Sequence, residues 1–314
     1  MSQLTHYEHG IYSIDANYVR PQLAAIHLIV ESGRAVFIDT GCNDSLPGAL
    51  AALTELGIPA CNVDYVILTH IHLDHAGGAG VMMRAFPNAR LVVHPRGARH
   101  MADPRKLIEG AAAVYGADEV RRLYGEVLPI DAARILETTH GFRVELAGRE
   151  LLCLDTPGHA RHHIAIVDRR SGSIFTGDIF GLSYRELDTD GRQFIFPTTT
   201  PIQFDPAAMH ASIDLLLGYQ PQAMYLTHFS QLRDVASQGA ELHRLVDAHA
   251  TIARREKNAG TERYGRIRDG LSRLLLEETT RFGCRLAESE ILALFAGDLD
   301  LNAQGLGVWI DSEK

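Results

Sequence analysis

At 314 residues and 46% hydrophobic side chains, the chain has enough apolar material for one large domain, or for a domain with an appendage. Its 30 basic against 39 acidic residues give a net charge of −9, which argues against a nucleic-acid-binding surface. The four cysteines (Cys42, Cys61, Cys153, Cys284) form no Cys-x-x-Cys pair, no apolar run reaches a membrane span, and the N-terminus has no leader-like pattern, so a cytoplasmic, membrane-free protein is expected.

Ile11–Ile14 and Ala24–Glu31 have the composition of short strands, and Ala35–Ile38 reads as a buried strand ending in Asp39-Thr40-Gly41. A carboxylate at such a tip either caps the next segment or braces a metal-ligating His from behind. Leu46, Leu50, Leu53 and Leu56 recur at helical spacing between Ser45 and Leu56. Val63–Leu68 is a strand, a helix runs to Phe86, and Arg90–His94 is another strand. From Pro95 to Ala133 the pattern is irregularly helical, with Tyr115, Tyr124 and Leu128 either packed or lining a pocket. Phe142–Leu146 and Leu151–Leu154 form a predicted hairpin around Gly148.

Asp155-Thr-Pro-Gly-His159 then places a His on a sharp turn, and strands follow at Ile164–Val167 and Ser173–Thr176, the second ending in Gly177-Asp178. The stretch 184–204 is polar and aromatic without period, as in a loop that lines a cleft. Asp205 is a predicted N-cap for a helix to about Gly218, and Ala223–Leu226 is a last strand before Thr227-His228. Beyond residue 230 the texture becomes helical. Leu232, Val235, Gly239, Leu242, Val246 and Ala250 lie on one stripe, Ile267 to Leu275 on a second, and Ile291–Phe295 mark a third helix before a short last segment. Two domains are expected, 1–230 and a helical extension 231–314 that shapes a cleft, packs on the first domain or forms a homodimer interface.

The stretch Thr69-His-Ile-His-Leu-Asp-His-Ala-Gly-Gly78 concentrates His70, His72, Asp74 and His75 within six residues. Neutral imidazoles and a carboxylate suit zinc, iron or manganese. His70 and His72, two apart after a strand, leave on one side, whereas the adjacent Asp74 and His75 diverge, so one run can serve two ions. Gly77 and Gly78 let backbone pass close by.

His70, His72, Asp74, His75, His159, Asp178 and His228 all fall at predicted strand ends. With Asp39 in Phe-Ile-Asp-Thr-Gly, these blocks resemble the metallo-β-lactamase superfamily over roughly residues 8 to 230. The resemblance implies an α/β (α+β) fold, an αβ/βα four-layer sandwich of two mixed sheets flanked by helices, here with a C-terminal helical appendage. It implies a binuclear site for two divalent metal ions, zinc first, with iron or manganese as alternatives. His70, His72 and His159 would hold one ion, and Asp74, His75 and His228 the other. Asp178 would bridge them and Asp39 would orient a ligand. A metal-bridging hydroxide would then attack a small ester, lactone or thioester, with Asp74 aiming it. His163 and Tyr184 are further catalytic candidates, His163 (or its neighbour His162) as a donor to the leaving group and Tyr184 to an oxyanion.

His94, His100, His140, His210 and His243 read as structural or surface residues. Arg233, Arg244, Arg254 and Arg255 lie in the C-terminal part, but their spacing picks out no grip for glutathione. A phosphodiesterase of the same fold and a metal-bearing regulatory protein with little turnover are the competing readings.

Overall fold

The computed structural model describes residues 4–313, so the part of the N-terminal reading that rests on Met1–Gln3 lies outside the described residues. The chain divides into two compact units. The first comprises Met1–Asp155, His162–Gly177 and Ala223–Gln231, and the second comprises Thr156–Arg161, Asp178–Gln222 and Leu232–Lys314.

The first unit holds two mixed sheets. One takes β1 (Leu4–His6), β2 (Ile11–Asp15), β3 (Ala25–Glu31), β4 (Arg34–Ile38), β5 (Val63–Ile67), β6 (Arg90–Val93) and β7 (Ile135–Glu137) in that order, antiparallel up to β4 and parallel thereafter. The other takes β8 (Phe142–Leu146), β9 (Arg149–Asp155), β10 (Ile164–Asp168), β11 (Ser173–Gly177), β12 (Ala223–Leu226) and β13 (Ser230–Leu232), again in order, with β11 and β12 parallel. Alternation decides which side chains meet. Ile29, Val36, Ile38, Ile67 and Val92 of the first sheet pack with Val144, Leu151, Cys153, Ile166, Phe175 and Tyr225 of the second in one buried cluster. Each such aliphatic side chain contributes roughly 1.5–3 kcal/mol by leaving water.

The opposite face of the first sheet, with Leu28, Phe37, Val66 and Leu91, is covered by α1 (Leu46–Glu55), α3 (Ala79–Ala85) and α4 (Pro95–Ala102). Between α1 and α3 lies the one-turn α2 (Leu73–Ala76). The helix expected to run on into Phe86 is thus broken at Gly77 and Gly78. A Cβ at Gly78 would meet the Cys42 carbonyl oxygen at 2.5 Å, so the close approach of the 40–42 backbone interrupts it. The irregular stretch after Pro95 resolves into α4, α5 (Arg105–Tyr115) and α6 (Ala117–Tyr124).

The second unit contains α7 (Pro206–Leu217), α8 (Val235–Arg255), α9 (Arg263–Phe282), α10 (Glu288–Leu294) and α11 (Ala296–Ser312). Asp205 caps α7, its Oδ1 accepting from the Ala208 N–H at 3.0 Å. The last segment is a 17-residue helix and not the short piece expected. Its buried stripe of Leu299, Asn302, Ala303, Leu306 and Ile310 has helical period, but Asn302 and small residues dilute its apolar signal. Asn302 belongs inside because its Oδ1 accepts the Thr199 N–H at 2.6 Å. No helix among the described residues is long and apolar enough to cross a membrane.

His27 on β3 and His249 on α8 are almost fully buried, and burial pushes both imidazoles down to about 4. The unfolded chain titrates them near the ordinary 6.5. Between these values the unfolded state binds more protons, so stability present above about 6.5 is lost as pH falls toward 4. Urea midpoints are expected to drop across that window, and His249→Leu flattens the drop. An equally steep profile in that variant would remove His249 as a cause.

Candidate metal centre

The parallel registers bring the C-terminal ends of several strands to one edge of the first unit. Ile38 of β4 is opposite Ile67 of β5, and Gly177 of β11 is opposite Leu226 of β12. Asp39, Thr69, Gly177 and Thr227 therefore all lie just past, or at, strand ends on that edge. The sheets are tied there by the Ala25 N–H donating to the Thr227 carbonyl at 2.8 Å and the Ile164 N–H to the Thr69 carbonyl at 2.7 Å.

Asp39 is the hub. It takes a left-handed backbone conformation, φ 59°, which swings its carboxylate off the line of β4. The side chain is buried and accepts from the Thr69 N–H at 2.8 Å, the Thr227 hydroxyl at 2.8 Å and His75 Nδ1 at 2.8 Å, with the Thr69 hydroxyl within 3.0 Å of both oxygens. The carboxylate therefore sits directly behind the His75 ring.

His72 occupies the N-cap position of α2 without a side-chain cap, and Asp74 and His75 lie in the single turn that follows. His75 Nδ1 donates to Asp39, and His228 Nδ1 donates to the Leu23 carbonyl at 2.6 Å. Both rings are thereby held as Nδ1–H tautomers with Nε2 turned forward. The two Nε2 atoms converge on one carboxylate oxygen, Asp74 Oδ2, at 3.6 Å from His75 and 3.3 Å from His228. One ligand atom from each of Asp74, His75 and His228 lies within 4.8 Å of the others. Two imidazole nitrogens and a carboxylate oxygen in so small a volume, each ring fixed from behind, form a candidate donor set whose chemistry suits a divalent ion.

A second pair forms beside them. His70 Nε2 and His72 Nδ1 are 2.9 Å apart, with His70 fully buried. His163 is also fully buried and its ring stacks on His70 at 5.0 Å. His162 faces His72, 5.7 Å between ring centres, and burial, then His72, push its imidazole down to about 3.

In the second unit, His159 Nε2 lies 3.5 Å from Asp178 Oδ2. The turn before His159 is pinned by α7. The Ser212 hydroxyl donates to the Pro157 carbonyl at 2.6 Å, and a Cβ on Gly158, at φ 137°, would strike the Met209 backbone at 2.4 Å. Tyr184 is buried, stacked edge-on against Phe196, and its hydroxyl lies 3.0 Å from both Asp298 oxygens.

A family model described as the metallo-beta-lactamase superfamily matches residues 19–228. The chain belongs to the metallo-beta-lactamase superfamily. It is 27% identical over 224 residues to a metallo-beta-lactamase fold-containing protein, ST1585, of Sulfurisphaera tokodaii, covering 70% of this chain and 78% of that one. It is 30% identical over 203 residues to a hydroxyacylglutathione hydrolase of Xanthomonas euvesicatoria pv. vesicatoria, covering 64% of this chain and 58% of the relative. The crystal structure of the archaeal ST1585 superposes with a TM-score of 0.64 at 21% identity, over 95% of this chain and 98% of that one. Members of this superfamily are mostly metal-dependent hydrolases, and the two-sheet fold with helices is the superfamily's own. Their metals are divalent, and the His and Asp clusters of this chain match that habit.

Sequence reading missed the partners of the hub. Thr69 and Thr227 each precede a candidate ligand, in Leu-Thr-His at 68–70 and again at 226–228. That repeated tripeptide was the available signal. His210 and His243, read from the sequence as structural or surface residues, are joined to each other.

Proposed function

We propose that this member of the superfamily is a two-metal hydrolase acting on a small ester, lactone or thioester. The observation that carries the proposal is the convergence of His75 and His228 on Asp74, each ring oriented from behind by Asp39 or the Leu23 carbonyl. In the proposal His70, His72, His159 and Asp178 are the further metal ligands that the resemblance implies. Two divalent ions, zinc first, would supply a water acidic enough to react near neutral pH and a positive field for the oxygen under attack. Asp74 would accept a hydrogen bond from that water and aim it. His163 and Tyr184 stay in the proposal as donors to the leaving group and to an oxyanion, the first stacked on His70 and the second beside Asp298.

The 30% likeness to hydroxyacylglutathione hydrolase supports the thioester branch. Against a glutathione grip by the C-terminal cations, Arg244 is paired with Glu241 and Glu278, Arg254 with Glu313 and Arg255 with Glu256. Lactones and simple acyl esters therefore stay beside thioesters in the substrate class.

The test is metal analysis of the purified protein alongside turnover of lactone, thioester and phosphodiester panels. About two ions per chain with turnover of a carbonyl substrate supports the proposal. Turnover confined to phosphodiesters replaces it, and a cellular effect that survives Asp178→Asn makes the protein a regulator.

A further inference from the structure

Helices α7 and α8 each carry a His one turn before an Asp, His210 with Asp214 and His243 with Asp247. The pairs cross. His210 Nε2 lies 3.0 Å from Asp247 Oδ1, and His243 Nε2 lies 3.0 Å from Asp214 Oδ1, so the two helices run antiparallel here. They approach closely because Gly239 has no Cβ, which would sit 2.8 Å from Leu217 Cδ1. The two Nδ1 atoms face each other at 2.6 Å, with ring centres 4.9 Å apart and ring planes only 14° apart.

The protons cannot all be satisfied by neutral rings. Each imidazole that gives its Nε2–H to a carboxylate keeps a lone pair on Nδ1. Two such lone pairs pointing head-on repel unless a cation lies between them, either a shared proton or a metal ion. A carboxylate that receives the remote N–H of a ligating His is the usual support of a metal-bound imidazole, and here both rings have one already. Each His side chain is about a quarter exposed and each Asp side chain more than 70%, so water and ions reach the pair from solvent.

We infer that His210 and His243 form a second metal site, separate from the proposed hydrolytic centre, that takes a zinc-class divalent ion through both Nδ1 atoms and clips α7 to α8. Bonds of about 2.0–2.1 Å at a tetrahedral angle need the nitrogens about 3.3 Å apart, so on binding the rings part by less than ~1 Å and tilt off their head-on line. Water fills the remaining positions. Asp214 and Asp247 are positioning residues that fix the tautomers.

The experiment is equilibrium dialysis of the purified holoprotein against zinc at fixed micromolar free concentration. Total bound zinc is compared in wild type, His210→Ala, His243→Ala and Asp214→Asn. Wild type is expected to hold one more zinc per chain than either His variant, with turnover alike in all. Asp214→Asn weakens this extra site about 10–100-fold. Zinc also raises the melting temperature of wild type more than that of the His variants, as mass action requires. Equal zinc in wild type and both folded His variants would overturn the inference and leave the contact to a shared proton. If a His variant fails to fold, the Asp214→Asn titration decides, since unchanged affinity there is equally fatal. Failure of the hydrolase proposal would leave this difference in bound zinc intact.

Discussion

His228→Ala is expected to lower kcat/KM for the preferred substrate about a thousandfold and to release metal from the protein. His228 is one of three donors gathered within 4.8 Å, and its ring is aimed by the Leu23 carbonyl. Loss of a metal's charge stabilisation costs several kcal/mol of barrier, and about 4 kcal/mol corresponds to three powers of ten. The exposed His140 provides the control, because His140→Ala should leave both metal content and rate unchanged. Steady-state kinetics and elemental analysis on the same preparations give the answer. A His228→Ala protein that keeps its metal and its rate would remove this residue from the site.

Asp39→Ala is the second large effect, and it is one of stability. The carboxylate collects the Thr69 N–H, the Thr69 and Thr227 hydroxyls and His75 Nδ1 in a buried position. Its removal strands several donors at once, and the expected loss is about 3–5 kcal/mol. Urea unfolding in the presence of a chelator isolates that loss from any change in metal binding. Asp39→Asn keeps the volume and one acceptor oxygen, so it should destabilise less. It removes the anion behind His75, and metal affinity should fall about 10–100-fold. An Asn variant with unchanged affinity would confine Asp39 to a structural role.

The fold was largely legible because its strands are buried and apolar. Ile11–Asp15, Ala25–Glu31, Ile164–Asp168 and Ser173–Gly177 were placed to within a residue or so. Period and turn residues specify such segments locally. The three-residue strands β1, β7 and β13 were not legible, since three residues carry no period and pair only because a neighbouring strand is present. The length of α11 was hidden for a related reason. Asn302 looks like a surface residue until the backbone of Thr199 is beside it.

The sequence by itself determined the donors. Three His and an Asp within six residues, followed by strand-end His and Asp residues, select divalent-ion chemistry because of what imidazole and carboxylate are. Only the tertiary structure decided which nitrogen of each ring faces forward. That choice rests on Asp39 behind His75 and the Leu23 carbonyl behind His228, partners 36 and 205 residues away in the chain. The same holds for His210 and His243, whose 33-residue separation carries no signal of contact until α7 and α8 pack antiparallel. Ligand identity is a property of a side chain. Ligand orientation is a property of whatever the fold places behind it, and no local pattern encodes that.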